Sequence, residues 1–150
     1  MTPAAVLFAC NFNRVRSPMA EGLMKRLYGS RIFVDSVGLR RPGPEEGALD
    51  PFTAVVMDEL GVDLAGHQAK TFDDLEDASF DLVVSLTPQA HHRAGEMARR
   101  RSVALEYWPT LDPTLATGSR EAVLDAYREV RDGLERRLVE RFGPVRTFGG

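Results

Sequence analysis

Val6-Leu7-Phe8-Ala9-Cys10-Asn11-Phe12-Asn13-Arg14-Val15-Arg16-Ser17-Pro18-Met19 reads as a buried strand, a polar loop and the start of a helix. Residues 4–9 form a short apolar run, the pattern of a strand covered on both faces. Ser17-Pro18 then offers a capping hydroxyl and a proline suited to the first helical position. Met19, Leu23 and Leu27 recur on one face at helical spacing, and Gly29 supplies a stop.

Outward from this stretch the same alternation repeats. Residues 31–37 read as a second strand, followed by a Gly- and Pro-rich loop over 38–49. Asp50-Pro51 again signals a cap and a first turn, for a helix running to Gly61. Residues 80–86 predict a third strand, and Thr87-Pro88 opens a third helix that ends at Arg99, Arg100 and Arg101. Residues 102–107 give a fourth strand. The last helix starts near Ser119, with Val123, Tyr127, Val130, Leu134 and Leu138 on one apolar face. Strands alternating with helices predict an α/β fold. Its three layers are a four-stranded parallel sheet and helices on both faces, joined by right-handed crossovers. A chain of 150 residues is expected to form a single domain over 1–150.

Composition narrows the function classes. The net charge of −3 gives no reason to expect a nucleic-acid or membrane partner. Cys10 is the only cysteine, so neither an intramolecular disulfide nor a Cys-based metal cluster is expected. A lone thiol suits a reducing compartment. Met1-Thr2-Pro3-Ala4-Ala5 has no basic leader and no long apolar run, so a cytoplasmic location is expected.

In parallel sheets ligands bind beyond the carboxyl ends of the strands, where the loop from Cys10 to Ser17 is expected to lie. A helix N-terminus exposes unpaired N–H groups, and a loop curling back on itself can aim more of them at one anion. Arg16 can close such a ring with a planar fork matched to two oxygens. The same field favours a thiolate, the nucleophilic form, on Cys10. The spacing from Cys10 to Arg16 is weak by itself, and a cysteine at a strand end also reads as a small buried apolar side chain. The strand before it and the helix start after it favour the phosphate loop. Asp112 lies in a loop beyond the fourth strand, where Asp-Pro reads equally as a turn or as a catalytic acid on a rigid scaffold. His67 reads as a hydrogen-bonded structural histidine. His91 and His92, adjacent on a helix, read as surface residues, and Trp108 as a packing anchor, with its position before the Asp112 loop leaving a substrate-wall role open.

Residues 6–10, with Asn13 and Arg16-Ser17-Pro18-Met19-Ala20-Glu21, closely resemble the start of the low-molecular-weight protein tyrosine phosphatases. The resemblance continues at Asp35-Ser36, at Gly61-Val62-Asp63-Leu64 with Gly66-His67-Gln68-Ala69-Lys70, at Phe80-Asp81-Leu82-Val83, at Asp112-Pro113 and at residues 126–132. It implies Cys10 as nucleophile, Arg16 as phosphate and transition-state clamp, and Asp112 as general acid. Asn11, Phe12, Asn13, Arg14, Val15 and Ser17 would form the substrate-binding loop. Ser36 and His67, with Asn13 and Ser17, would support it by hydrogen bonds. The implied activity is phosphomonoester hydrolysis through a phosphocysteine, needing no cofactor and no metal. The implied partner is a phosphotyrosine protein or a small aryl phosphate.

The sequence departs from that pattern at Phe12, where the family usually has Gly, and at Val15, where it often has a second Cys. Thr114 and Leu115 follow Asp-Pro in place of aromatics, and the loop Gly38-Leu39-Arg40-Arg41-Pro42 has no aromatic. Weak selectivity for phosphotyrosine is expected, with Arg40, Arg41, Thr114 and Leu115 as the walls. Two other readings share the loop. One is an arsenate reductase drawing on an external small thiol, since this chain has no resolving cysteine. The other is a non-catalytic phosphate- or phosphopeptide-binding module.

Overall fold

The computed structural model describes residues 3–75 and 79–144. Four parallel strands form one sheet: β1 (Ala5–Ala9), β2 (Phe33–Val37), β3 (Leu82–Ser85) and β4 (Ala104–Tyr107), in the order β2-β1-β3-β4. β1 is central and wholly buried, as its uninterrupted apolar run requires. Its side chains alternate between two cores. Val6 and Phe8 pack with α1 (Arg16–Tyr28), α2 (Pro51–Asp58) and α4 (Arg120–Phe142). Leu7 and Ala9 pack with α3 (Pro88–Ala98) on the opposite face. Ala9 pairs with Val37 on one side and Ser85 on the other, so the three strands end level.

All four strands are shorter than the segments that predict them, β1 by its first residue alone. β2 starts at Phe33, where pairing with Ala5 begins, because residues 29–31 first turn as a 3-10 helix out of Gly29. Asp50 and Thr87 cap α2 and α3 as the Asp-Pro and Thr-Pro signals predict, and Ser119 caps α4. α2 ends at Asp58, with Gly61 reversing the chain at φ 76°. His92 is exposed. His91 is half-buried and stacks on Tyr107 at 5.1 Å between ring centroids, because α3 lies against β4. Among the described residues no helix is long and apolar enough to cross a membrane.

The buried face of α4 includes Arg131, a charge that the apolar spacing passes over. Its Nη1 donates to Val56 O and to Glu59 Oε1, both at 2.7 Å, and so bolts α4 to the end of α2. Arg128 adds a two-pronged contact to the same carboxylate. Hydrogen bonds from Arg128, then Arg131, hold the Glu59 carboxyl down at about 2. Its folded value lies below the usual carboxylate value of about 4.3. The stabilisation is therefore present above that value and is lost as pH falls through about 2. Glu59 is about a third exposed, so solvent weakens the effect. Glu59→Gln is expected to lower the unfolding temperature by a few degrees at pH 7, with the difference from wild type closing towards pH 2. Melting curves at stepped pH check this; a gap that does not close contradicts it.

Candidate active site

Cys10 leaves β1 directly, and its N–H donates to Val37 O at the end of β2 at 3.1 Å. The chain then curls through residues 11–15 into α1. Side chains cap α2, α3 and α4, whereas the cap position of α1 is Val15 and no side chain caps it. The N–H groups of its first turn are thereby left for an anion. Ser17, whose Ser-Pro pattern predicts a cap, lies inside that turn instead. Its Oγ sits 2.9 Å from Cys10 Sγ. Cys10 itself is 3% exposed, at the floor of the loop.

Asn13 is the one non-glycine residue with positive φ among the described residues, at 58°. Asparagine tolerates this left-handed backbone better than most residues, and such strain persists only where the surroundings over-determine it. Here four hydrogen bonds do so. Its amide nitrogen donates to Ser17 Oγ at 2.8 Å and Ser36 Oγ at 2.9 Å. Its Oδ1 accepts the Lys70 N–H at 3.1 Å, and its carbonyl meets His67 Nε2 at 2.8 Å. Asn11 is also turned inward, with Oδ1 accepting from Thr87 Oγ1 at 2.8 Å. The side chains of Asn11, Asn13 and Ser17 thus brace the loop from behind, together with Ser36 and His67.

Gly38, just past β2, is a functional position that local sequence reading misses. A Cβ there would lie 2.7 Å from Asn13 N and from Phe12 C, and 2.9 Å from Asn11 O. These are backbone atoms of the loop itself, so they cannot yield without reshaping it. Gly38→Ala is expected to cost about 1–3 kcal/mol in stability. Misplacement of the loop should lower turnover by roughly 10²-fold. Denaturant unfolding and steady-state rates check both, and a fully active Gly38→Ala protein contradicts the close approach.

The pocket above the sulfur has a volume of ≈ 260 Å³ and is lined by Cys10, Phe12, Arg14, Val15, Arg16, Glu46, Asp50, Asp112 and Thr114. Arg16 Nη1 donates to Thr110 O at 2.9 Å, and its Nη2 lies 4.0 Å from Asp112 Oδ2. Asp112 Oδ1 accepts from Thr114 N–H and Thr114 Oγ1 at 3.0 and 2.7 Å. Oδ2 is the oxygen on the Arg16 side. Arg14 lines the mouth, but its guanidinium is committed to the carbonyls of Glu46 and Gly47, which tie the 43–49 loop to the rim. Beneath the rim, burial first and then the Asp50 carboxylate push the Tyr127 phenol well above its ordinary range. Larger cavities of ≈ 820 and ≈ 760 Å³ lie beside α4 and beside α1, and neither contains Cys10.

The walls differ from those expected of the sequence. Thr114 lines the pocket, but Arg40, Arg41 and Leu115 do not. Arg41 is drawn away to Asp74 at 2.5 Å. Phe12, 44% exposed, is the one aromatic in the lining. Trp108 is buried, packed against Phe8 and Phe142.

A family model described as low molecular weight phosphotyrosine protein phosphatase matches residues 5–145. The chain belongs to that family. Among its relatives within the low molecular weight phosphatases is an arsenate reductase of Bacillus subtilis (strain 168). It is 31% identical over 135 residues, covering 90% of this chain and 92% of the relative. A solved arsenate reductase in the phosphate binding state superposes with a TM-score of 0.73 at 27% identity, covering 95% of this chain and 100% of the other. The tyrosine phosphatase AmsI of Erwinia amylovora shares the fold, with a TM-score of 0.73 at 22% identity over 94% of each chain. The four-stranded parallel sheet with flanking helices is the fold of these low molecular weight phosphatase relatives.

Proposed function

We propose that this chain, working as a single domain, is a phosphomonoester hydrolase that acts through a phosphocysteine on Cys10. The observation that carries this reading is the pocket itself. One buried sulfur lies under it, Arg16 and Asp112 converge over it, and Ser17 Oγ is 2.9 Å from the sulfur. Cys10 attacks phosphorus as the bond to the leaving oxygen breaks, and Asp112 gives that oxygen its proton. Water then attacks phosphorus, Asp112 takes the water's proton, and the P–S bond breaks to return the thiolate, held by the Ser17 hydroxyl. Arg16 and the loop N–H groups stabilise the equatorial charge in both steps. The partner is a phosphorylated substrate, a phosphotyrosine protein or a small aryl phosphate. Phe12 as the single aromatic among the described residues lining the pocket supports weak discrimination between them.

The names of the relatives favour a second reading, arsenate reduction. That reaction takes two electrons, and two thiols supply them by forming a disulfide. With Cys10 as the only cysteine, the second thiol must come from outside the chain. Hydrolysis needs only water and the acid already in place. Side-by-side assays of p-nitrophenyl phosphate hydrolysis and of arsenate reduction with glutathione, glutaredoxin and thioredoxin test both readings. Phosphate release without arsenite is the expected result. Arsenite formation without phosphate release makes it a reductase, and neither activity with retained phosphopeptide binding makes it a binding module.

A further inference from the structure

Glu21 lies on α1, outside the pocket over Cys10, and a line of hydrogen bonds joins it to the sulfur. Its Oε1 accepts from Ser36 Oγ at 2.5 Å. Ser36 Oγ accepts from Asn13 Nδ2 at 2.9 Å, and the same amide nitrogen donates to Ser17 Oγ at 2.8 Å. Ser17 Oγ stands 2.9 Å from Cys10 Sγ and 3.3 Å from Val37 O. An ionised carboxylate only accepts. The Ser36 proton must therefore point to Glu21, which leaves the Ser36 lone pairs facing Asn13. Both N–H groups of the Asn13 amide are then used as donors. Ser17 receives one of them, so its own proton is the one left to give, and of the two acceptors within its reach the sulfur at 2.9 Å is nearer than Val37 O at 3.3 Å.

We propose that Glu21 is a positioning residue that sets the direction of this chain, so that Ser17 donates to the Cys10 thiolate. Without it the Ser36 hydroxyl can turn round and the Asn13 amide can flip, and Ser17 then donates to the amide oxygen instead. The Lys70 N–H on Asn13 Oδ1 is the second lock on the same orientation. Lys25 Nζ lies 2.6 Å from Glu21 Oε2, the carboxylate oxygen that Ser36 does not use. Arg26, Asp63, His67 and Lys70 are the other charged or titratable groups around the cavity that Glu21 borders.

The proposal has a sign that a simple field effect does not share. A carboxylate near a thiolate disfavours it through space, so removing Glu21 would by charge alone make Cys10 more reactive. Loss of the hydrogen-bond direction makes it less reactive. Iodoacetate alkylation of Cys10 across pH separates the two. It needs no substrate, so it reads the thiolate even if the proposed phosphatase chemistry fails, and phosphate-release assays report on that chemistry independently. Glu21→Ala is expected to slow alkylation at neutral pH about tenfold, the scale of one hydrogen bond to a charged group, and to move the profile to higher pH. Its kcat should fall with little change in KM. Glu21→Gln, whose amide oxygen still accepts from Ser36, should recover most of the rate. Ser36→Ala should slow alkylation as much, with no further loss in the double variant. If Glu21→Ala does not fold, the Gln and Ser36 variants carry the test. Unchanged or faster alkylation in Glu21→Ala, a Gln variant as slow as Ala, or additive losses with Ser36→Ala overturn the proposal.

Discussion

Cys10→Ser is expected to lower phosphate release from p-nitrophenyl phosphate by more than about 10⁴-fold, the scale seen when a nucleophile is removed, while leaving oxyanion binding intact. The two effects separate because they come from different atoms. Attack needs a sulfur ionised at neutral pH, and a serine hydroxyl in its place stays protonated. Binding needs the uncapped first turn of α1 and Arg16, neither of which the substitution touches. Vanadate titration of the variant, read by protection against thermal unfolding, should match the wild type within a few-fold. Loss of binding together with turnover would mean that the sulfur shapes the loop as well as reacting. Appreciable turnover would remove Cys10 from the chemistry.

Asp112→Ala is expected to have the next largest effect, and the size should depend on the leaving group. General acid catalysis contributes typically ~10²–10⁴-fold, most where the departing oxygen is a strong base. Nitrophenolate leaves readily without a proton, whereas an alkoxide does not. The variant should therefore lose far more rate on alkyl or unactivated aryl phosphates than on p-nitrophenyl phosphate. In the resting protein Asp112 also accepts two hydrogen bonds from Thr114, so a purely structural role for its carboxylate is the competing account. An equal loss on every ester would support that account, as would rescue of the alkyl phosphate rate by Asp112→Asn, which keeps the Thr114 contacts but cannot give up a proton.

The fold was legible because its signals are local. The central strand is an uninterrupted apolar run, and Asp50-Pro51, Thr87-Pro88 and Ser119 announce helix starts that the structure shows to be capped by those side chains. Ser17-Pro18 carries the same local signal, yet Ser17 lies inside the first turn of α1 and does not cap it. Nothing in the dipeptide distinguishes a hydroxyl facing its own helix from one facing a sulfur seven residues back. What remained hidden is non-local in each case. Gly38 meets the loop because the loop crosses over it, and Glu21 reaches Ser36 because α1 lies beside β2. Arg131 sits within an otherwise apolar face because α2 ends opposite it with a carbonyl and a carboxylate. The walls of the pocket are hidden from the sequence for the same reason. The side chain of Arg41 is set by Asp74, which stands far from it in sequence.

Passage of the phosphoryl group through Cys10 is the central claim, and rapid acid quench followed by mass spectrometry of the tryptic peptides tests it most directly. During turnover of p-nitrophenyl phosphate the expected result is a phosphate carried on Cys10 alone, formed at the rate of nitrophenol release and decaying as inorganic phosphate appears. Steady release of phosphate with Cys10 unlabelled throughout, or with the label on another residue, would contradict it.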